Sequence, residues 1–245
     1  MADVLPFLDS CGDSWSWSET DKAHEVRVEG TDNQTAFFHP RWSKGSAGVR
    51  GTRVLNGGRF YWEVKLSCRV FGTSLMFGIA TRKARLHVDA FVNMMGEDDQ
   101  SWGLSHKGLI WHKGKSRYFT CPFTEKHPAT VGLLFDGIKG TLTYYKDGVC
   151  LGEAFSGLNR LSCELYPFVC STAAQSDMTL ANMRRGMVTL EDRCCVTIAK
   201  HLRSESEAGG LTLPRILRNN IVRECSRQTP SKVSVPFLKP PCGVS

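Results

Sequence analysis

The chain has 245 residues, 41% hydrophobic and 22% charged, with a formal charge of +7. That is enough material for one domain of ~150–200 residues and a smaller companion. No window approaches the ~18 consecutive apolar residues of a membrane-spanning helix, and the opening MADVLPFLDSCGDSW lacks both the basic region and the apolar stretch of a secretory signal, so the expectation is a monomeric intracellular protein, cytoplasmic or nuclear.

Ten cysteines would suit a disulfide scaffold only in a short secreted chain. No C-x-x-C pair occurs and the seven histidines are scattered, so no metal site and no cofactor is expected. Most of the cysteines are read as small reduced core residues, for example Cys163 and Cys170 flanking LYPFV. The positive charge is concentrated late: Asp177 to Ser245 carries eleven Lys/Arg against six Asp/Glu. Without a basic run or an aromatic-rich RNA-binding signature, a solvated helix face and a loose tail are favoured over nucleic-acid binding.

From about Glu25 to Met183 the pattern has period 2. In RFYWEVKL, Phe60, Trp62, Val64 and Leu66 share one face and Tyr61, Glu63 and Lys65 the other, as a half-buried antiparallel strand requires. The blocks EVRVEG, RFYWEVKL, LMFGIAT, GLIWHKG, TVGLLF, GTLTYYK, ELYPFVC and MTLANM follow one another without intervening helical pattern. Asp147-Gly148 marks a hairpin and Asp136-Gly137 a similar turn. Many short strands without crossover helices predict a mainly β fold, an antiparallel sandwich. Trp15, Trp17, Trp62 and Trp102 are expected in its core or at sheet edges.

After Met183 the period changes. Thr189 reads as an N-cap with Asp192 three residues on. Leu190, Cys194, Ile198 and Leu202 then draw one apolar stripe along a helix of ~14 residues. SESEAGG breaks it. A second helix starts near Thr212–Pro214, with Leu213, Ile216, Leu217 and Ile221 as its apolar face. The Pro/Ser-rich segment beyond Cys225 is expected to be disordered.

No catalytic constellation is expected. G-x-S-x-G, G-x-G-x-x-G, G-x-x-x-x-G-K-[ST] and H-E-x-x-H are all absent from the sequence. His106, His112 and Cys121 have no spacing that fixes a mutual geometry, and Glu97-Asp98-Asp99 reads as a solvated turn. Binding is therefore the function class that remains.

The series GGRFYWEVKL, MFGIAT, SWGLSHKGLIWHKG, VGLLFDGIKGTLTYYKDG and LYPFVCSTAA resembles the SPRY (B30.2-type) β-sandwich, and TLEDRCCVTI followed by LTLPRILRNNI resembles a SOCS box. Together they resemble the SPRY-domain- and SOCS-box-containing family, with SWGLS, HKG and VCSTAA most like its type 3 branch. The resemblance implies an N-terminal segment over 1–14, a SPRY domain over 15–183, a SOCS box over 187–225 and a disordered tail over 226–245.

It further implies a non-catalytic substrate receptor of a ubiquitin ligase. SPRY loops would capture a short linear, Asn-containing motif of a target protein. The SOCS box would recruit elongin B/C and cullin-5 with its RING partner, leading to ubiquitination and proteasomal degradation. Carried over by position, target contacts fall on Arg50, Gly51, Phe91, Met94, Thr172, Ala173 and Ala174, where Thr172-Ala173-Ala174 replaces the family's Val-Trp-Gly. Elongin contacts fall on Thr189, Leu190, Cys194 and Ile198, and cullin contacts on Leu211, Leu213, Pro214 and Ile221. Leu211-Thr212-Leu213-Pro214 keeps only the second proline of the family's Leu-Pro-Leu-Pro. The alternative is a SPRY interaction scaffold without ligase recruitment.

Overall fold

A computed structural model describes residues 10–186, 190–202 and 204–228. Its strands, in chain order, are β1 (Ser10–Gly12), β2 (Trp17–Lys22), β3 (Val26–Glu29), β4 (Thr35–Phe38), β5 (Ser46–Gly51), β6 (Arg59–Leu66), β7 (Leu75–Ala80), β8 (His87–Val88), β9 (Ser101–Ser105), β10 (Leu109–His112), β11 (Lys115–Tyr118), β12 (Ala129–Asp136), β13 (Thr141–Lys146), β14 (Val149–Phe155), β15 (Tyr166–Ser171) and β16 (Ser176–Gly186). Three α-helices follow: α1 (Leu190–His201), α2 (Glu205–Gly209) and α3 (Arg215–Gln228).

The strands form two antiparallel sheets. One runs β14-β13-β12-β6-β16-β4-β3, with β1 also on β16; the other runs β11-β10-β9-β7-β15-β5-β2, with β8 on β5. Antiparallel sheets with one apolar face each must stack to bury those faces. Trp15, Trp17, Trp62 and Trp102 all lie in the shared core, with Val64, Leu66, Phe77, Leu133 and Val169. The mainly β sandwich read from the alternation is thus present.

Each of the eight blocks singled out by alternation lies in or overlaps a strand, whereas β5 (SAGVRG) and β9 (SWGLS), Gly- and Ser-containing and buried along their whole length, carry too little alternation to be seen. The second face of β6 is less wet than its pattern suggests. Tyr61 is buried against Tyr145, ring centroids 5.8 Å apart, and its hydroxyl donates to Glu63 Oε1 at 2.8 Å. Asp147 and Gly148 both adopt positive φ, 50° and 83°, the geometry of a primed hairpin turn. In the turn after β12 the positive φ falls on Gly140, at 72°, rather than on Gly137. There Asp136 Oδ1 accepts from the backbone N–H groups of Ile138 and Lys139, which closes the turn without positive φ at Gly137.

The cysteines depart from expectation. Cys170, Cys195 and Cys225 are buried, but Cys68, Cys121, Cys150, Cys163 and Cys194 are exposed free thiols. Cys163 lies outside β15, in the turn before it, where no side-chain layer covers it.

The contact pattern divides the chain into two units at Leu190/Glu191. In the C-terminal unit, Cys195 and Ala199 of α1, Ala208 of α2, and Ile221 and Cys225 of α3 form a small core, with Ile198, Leu202, Leu211, Leu213, Leu217 and Val222 around it. The SESEAGG stretch does not simply break the chain: Glu205–Gly209 forms a short helix whose Ala208 is fully buried, so tertiary burial overrides the weak local propensity. The second predicted helix begins at Arg215, one residue past Pro214, whose carbonyl accepts the Arg218 N–H at 3.1 Å. None of the described helices is long and apolar enough to cross a membrane. The expectations for Thr189 and for the tail from residue 229 onward lie outside the described residues.

Candidate functional site

Strand register decides which predicted target-binding residues can act together. Across β5 and β15, Ala47 faces Ser171 and Arg50 faces Phe168. At ~3.3 Å per residue those positions are roughly 10 Å apart along the strands, so Arg50 and Gly51 sit toward one end of the sandwich and Thr172–Ala174 beyond the other.

Arg50 must be reassigned. It was expected on a loop, with its guanidinium donating to a captured peptide, but it lies within β5 and is 1% exposed. Nε donates to the Thr81 carbonyl at 2.9 Å, Nη2 to the carbonyls of Arg82 (2.9 Å) and Ala84, and Nη1 to Asp21 Oδ1 at 2.6 Å. Burial pulls its pKa down and the Asp21 charge opposes that shift. The guanidinium therefore pins the chain after β7 to β2 and β5, and its donors are largely spent on that structural role. Gly51 is buried as well: a Cβ there would press on the Trp15 ring at 2.7 Å. Met94, also expected to contact the target, is buried and packs in a second core cluster with Met76, Phe168 and Cys170.

The opposite end is built differently. The turn from β15 into β16 carries Thr172 and Ala173, both buried, and the half-exposed Ala174. Thr172 Oγ1 accepts the Ser74 N–H at 2.9 Å and donates to the Ser74 carbonyl at 3.0 Å, which fastens this turn to the segment before β7. His39 Nε2 donates to the Ser171 carbonyl at 3.0 Å, and the Gln175 N–H is shared between the Phe38 and His39 carbonyls. Ser46 Oγ reaches the carbonyls of Ala90 (3.0 Å) and Val92 (2.8 Å), which draws the segment after β8 onto the same end.

Residues 39–45, 68–74, 88–93 and 172–175 thus form one loop surface. It presents Phe91, 52% exposed, and Trp42, 84% exposed, with Arg69 bonded to Gln175 Oε1 at 3.0 Å. Trp42 was not singled out from the sequence. Its only signal there is a Trp in HPRWSKG, a polar stretch with no apolar alternation to bury it. Exposed aromatics on loops held by hydrogen bonds suit a short peptide: large apolar area at low entropic cost, beside polar groups that set register.

Along α1, Leu190 is 76% exposed and Cys194 is exposed, while Ile198 is half-buried. Cys195 and Ala199, one position round the helix, face the internal core instead. Of the predicted cullin contacts, Pro214 is exposed and Leu211 and Leu213 are half-buried. Ile221 is 0% exposed and belongs to the helical core, so its expected contact is corrected to a packing role.

The residues considered for chemistry do not assemble. His112 Nδ1 donates to the Ser101 carbonyl at 2.9 Å, His106 is buried, and Cys121 Sγ accepts instead from the Tyr118 hydroxyl. Glu97 pairs with Arg85 at 2.5 Å, and Asp98 and Asp99 accept from Gln100.

Comparison with known proteins agrees with this architecture. The SPRY domain model matches residues 59–183. SPRY domain-containing SOCS box protein 3 of Xenopus tropicalis is 35% identical over 190 residues, covering 77% of this chain and 51% of the relative. SPRY domain-containing SOCS box protein 1 of Homo sapiens is 30% identical over 162 residues, covering 63% and 58%. The chain thus spans about half the length of the type 3 relative. Among solved structures, the TRIM65 PSpry domain superposes with a TM-score of 0.55 at 18% identity, covering 69% of this chain and 90% of that one. The SPRY domain of human HERC1 gives 0.54 at 16%, covering 68% and 98%; at these identities the likeness concerns the fold. On the matched model and the 35% identity, this chain belongs to the SPRY domain family and is similar to its SOCS box-containing members.

Proposed function

We propose that this protein is a non-catalytic substrate receptor of a cullin-RING ubiquitin ligase. Its SPRY loops hold a short linear, Asn-containing motif of a target protein, and its C-terminal helices bind elongin B/C and, through it, cullin-5 with a RING partner. The outcome for the target is ubiquitination and proteasomal degradation, in the cytoplasm or the nucleus.

The observation that carries the reading is the split of α1. Its inner face, Cys195 and Ala199, packs within the helical unit, while Leu190 and Cys194 present an apolar edge to solvent. An exposed large aliphatic beside a small residue at i, i+4 suits docking in a partner's groove. For the target, the Trp42 and Phe91 loop surface supports capture at the Ser171 end of the sandwich; Arg50 and Gly51 contribute by holding strands.

The test is co-purification of the full chain with recombinant elongin B/C, wild type beside Leu190→Ala and Cys194→Phe. Binding by the wild type and loss in both variants supports the receptor reading; equal capture by all three rejects it. The burial of Ile221 and the single proline of Leu211-Thr212-Leu213-Pro214 favour a second reading, an interaction scaffold that binds without recruiting a cullin. Addition of cullin-5 to the elongin complex separates the two.

A further inference from the structure

We infer that His24, Glu25 and His87 form a binding site for one divalent ion of the zinc class. His24 and Glu25 lie in the turn between β2 and β3, and His87 opens β8. Their donor atoms all lie within 4.8 Å of one another. Each Glu25 oxygen faces one imidazole: Oε1 lies 3.1 Å from His24 Nε2 and Oε2 lies 2.8 Å from His87 Nδ1. The two rings are 4.7 Å apart and tilted by 52°. A tetrahedral ion with arms of ~2.1 Å separates its ligands by roughly 3.4 Å, a spacing the three donors reach with small side-chain rotations.

The chemistry of His87 points to a cation. Its Nε2 lies 2.9 Å from Asp89 Oδ1; a carboxylate only accepts, so Nε2 carries a proton, and in the neutral ring Nδ1 then offers a lone pair. That lone pair faces a carboxylate oxygen at 2.8 Å, and both atoms are buried with no hydrogen-bond partner of proper geometry. In that form the two buried acceptors repel at this distance, and a cation bound between them removes the repulsion. An ion placed off the line joining them meets Oε2, Nδ1 and the exposed His24 Nε2 together. Asp89 then serves as the outer partner that orients a metal-binding histidine.

Two imidazoles and one carboxylate suit zinc, and three protein ligands leave a fourth position for water or another donor. The ion would tie the β2–β3 turn to β8 and so to the segment that presents Phe91. Sequence spacing could not show this, because the donors come from segments far apart in the chain that meet through β5: Ala47 pairs with His87, the Ala23 N–H donates to the Gly48 carbonyl and the Gly48 N–H donates to the Leu86 carbonyl.

The test is Co²⁺ uptake by the full reduced chain, followed by visible absorption, which distinguishes nitrogen and oxygen donors from the exposed thiols by the absence of thiolate charge-transfer bands. The wild type is expected to bind one equivalent on nitrogen and oxygen donors, Zn²⁺ to displace it, His24→Ala and Glu25→Gln to lose it, and Asp89→Asn to weaken it about 10- to 100-fold. His24 is exposed, so His24→Ala keeps the metal-free thermal midpoint and its loss of binding cannot be assigned to unfolding. Absence of such an equivalent in the wild type, or its retention in His24→Ala and Glu25→Gln, overturns the assignment.

Discussion

The Arg50 guanidinium, buried within β5, donates to Asp21 Oδ1 at 2.6 Å while its remaining bonds go to the carbonyls of Thr81, Arg82 and Ala84. One side chain therefore holds three backbone carbonyls of the segment after β7, beside the Thr81–Gln100 bonds that anchor its start. Arg50→Met fills the volume but leaves three carbonyls and a carboxylate without their donor. The expected loss is ~3–5 kcal/mol of stability, read from urea unfolding. Arg50→Lys recovers little of it, because a point charge cannot reach three acceptors in a fork. A loss under about 1 kcal/mol on Arg50→Met would show that water replaces these bonds.

Leu190 and Ile221 give opposite results. Leu190 is exposed and Ile221 is buried in the helical core. Leu190→Asp leaves stability within roughly 0.5 kcal/mol of wild type and abolishes elongin B/C capture. Ile221→Ala removes about 2–5 kcal/mol from the helical unit and weakens capture only as far as the unit unfolds. Circular dichroism beside the pull-down separates the two effects.

Trp42→Ala and Phe91→Ala change the unfolding midpoint little, since both rings stand in solvent. Against an Asn-containing peptide library, both variants lose at least tenfold in affinity for the peptides that the wild type retains. Undiminished binding would move the capture surface elsewhere, first to the depression beside Arg50 lined by Asp21, Gly51, Arg82 and Tyr166.

Acid sensitivity follows from three histidines. Burial lowers the pKa of His39, of His106 and of His112, the last stacked on Trp102 at 4.5 Å. A histidine whose folded pKa lies below its unfolded value of ~6.5 binds more protons when unfolded. Stability is therefore full above that value and declines as pH falls through it toward the folded pKa. Urea midpoints at pH 7.5 and 5.5 should differ in that direction, and less so in His112→Gln.

How much was readable in the sequence depended on the range of the interaction. The β sandwich and the apolar stripe of α1 were legible because period-2 and period-4 spacing are local consequences of backbone geometry, as RFYWEVKL and Leu190–Leu202 show. The hairpin at Asp147-Gly148 was legible for the same reason, because positive φ is a property of those two residues. Leu190 and Cys194 were named from the sequence and lie on the open side of their helix, yet the stripe could not show that Cys195 and Ala199 would take the inner side.

Only the tertiary structure decided what long-range register decides. It placed Arg50 toward one end of β5 and the Thr172–Ala174 turn beyond the other, so that residues the family resemblance groups at one target site are separated. It turned Met94 and Ile221 inward, because neighbouring strands and helices cover them, and left Trp42 outside. It also brought Glu25 to His87, a meeting of two segments that neither segment encodes. Alternation along a strand is written residue by residue; the partner that faces each residue is set by strand pairing and packing across the whole sandwich.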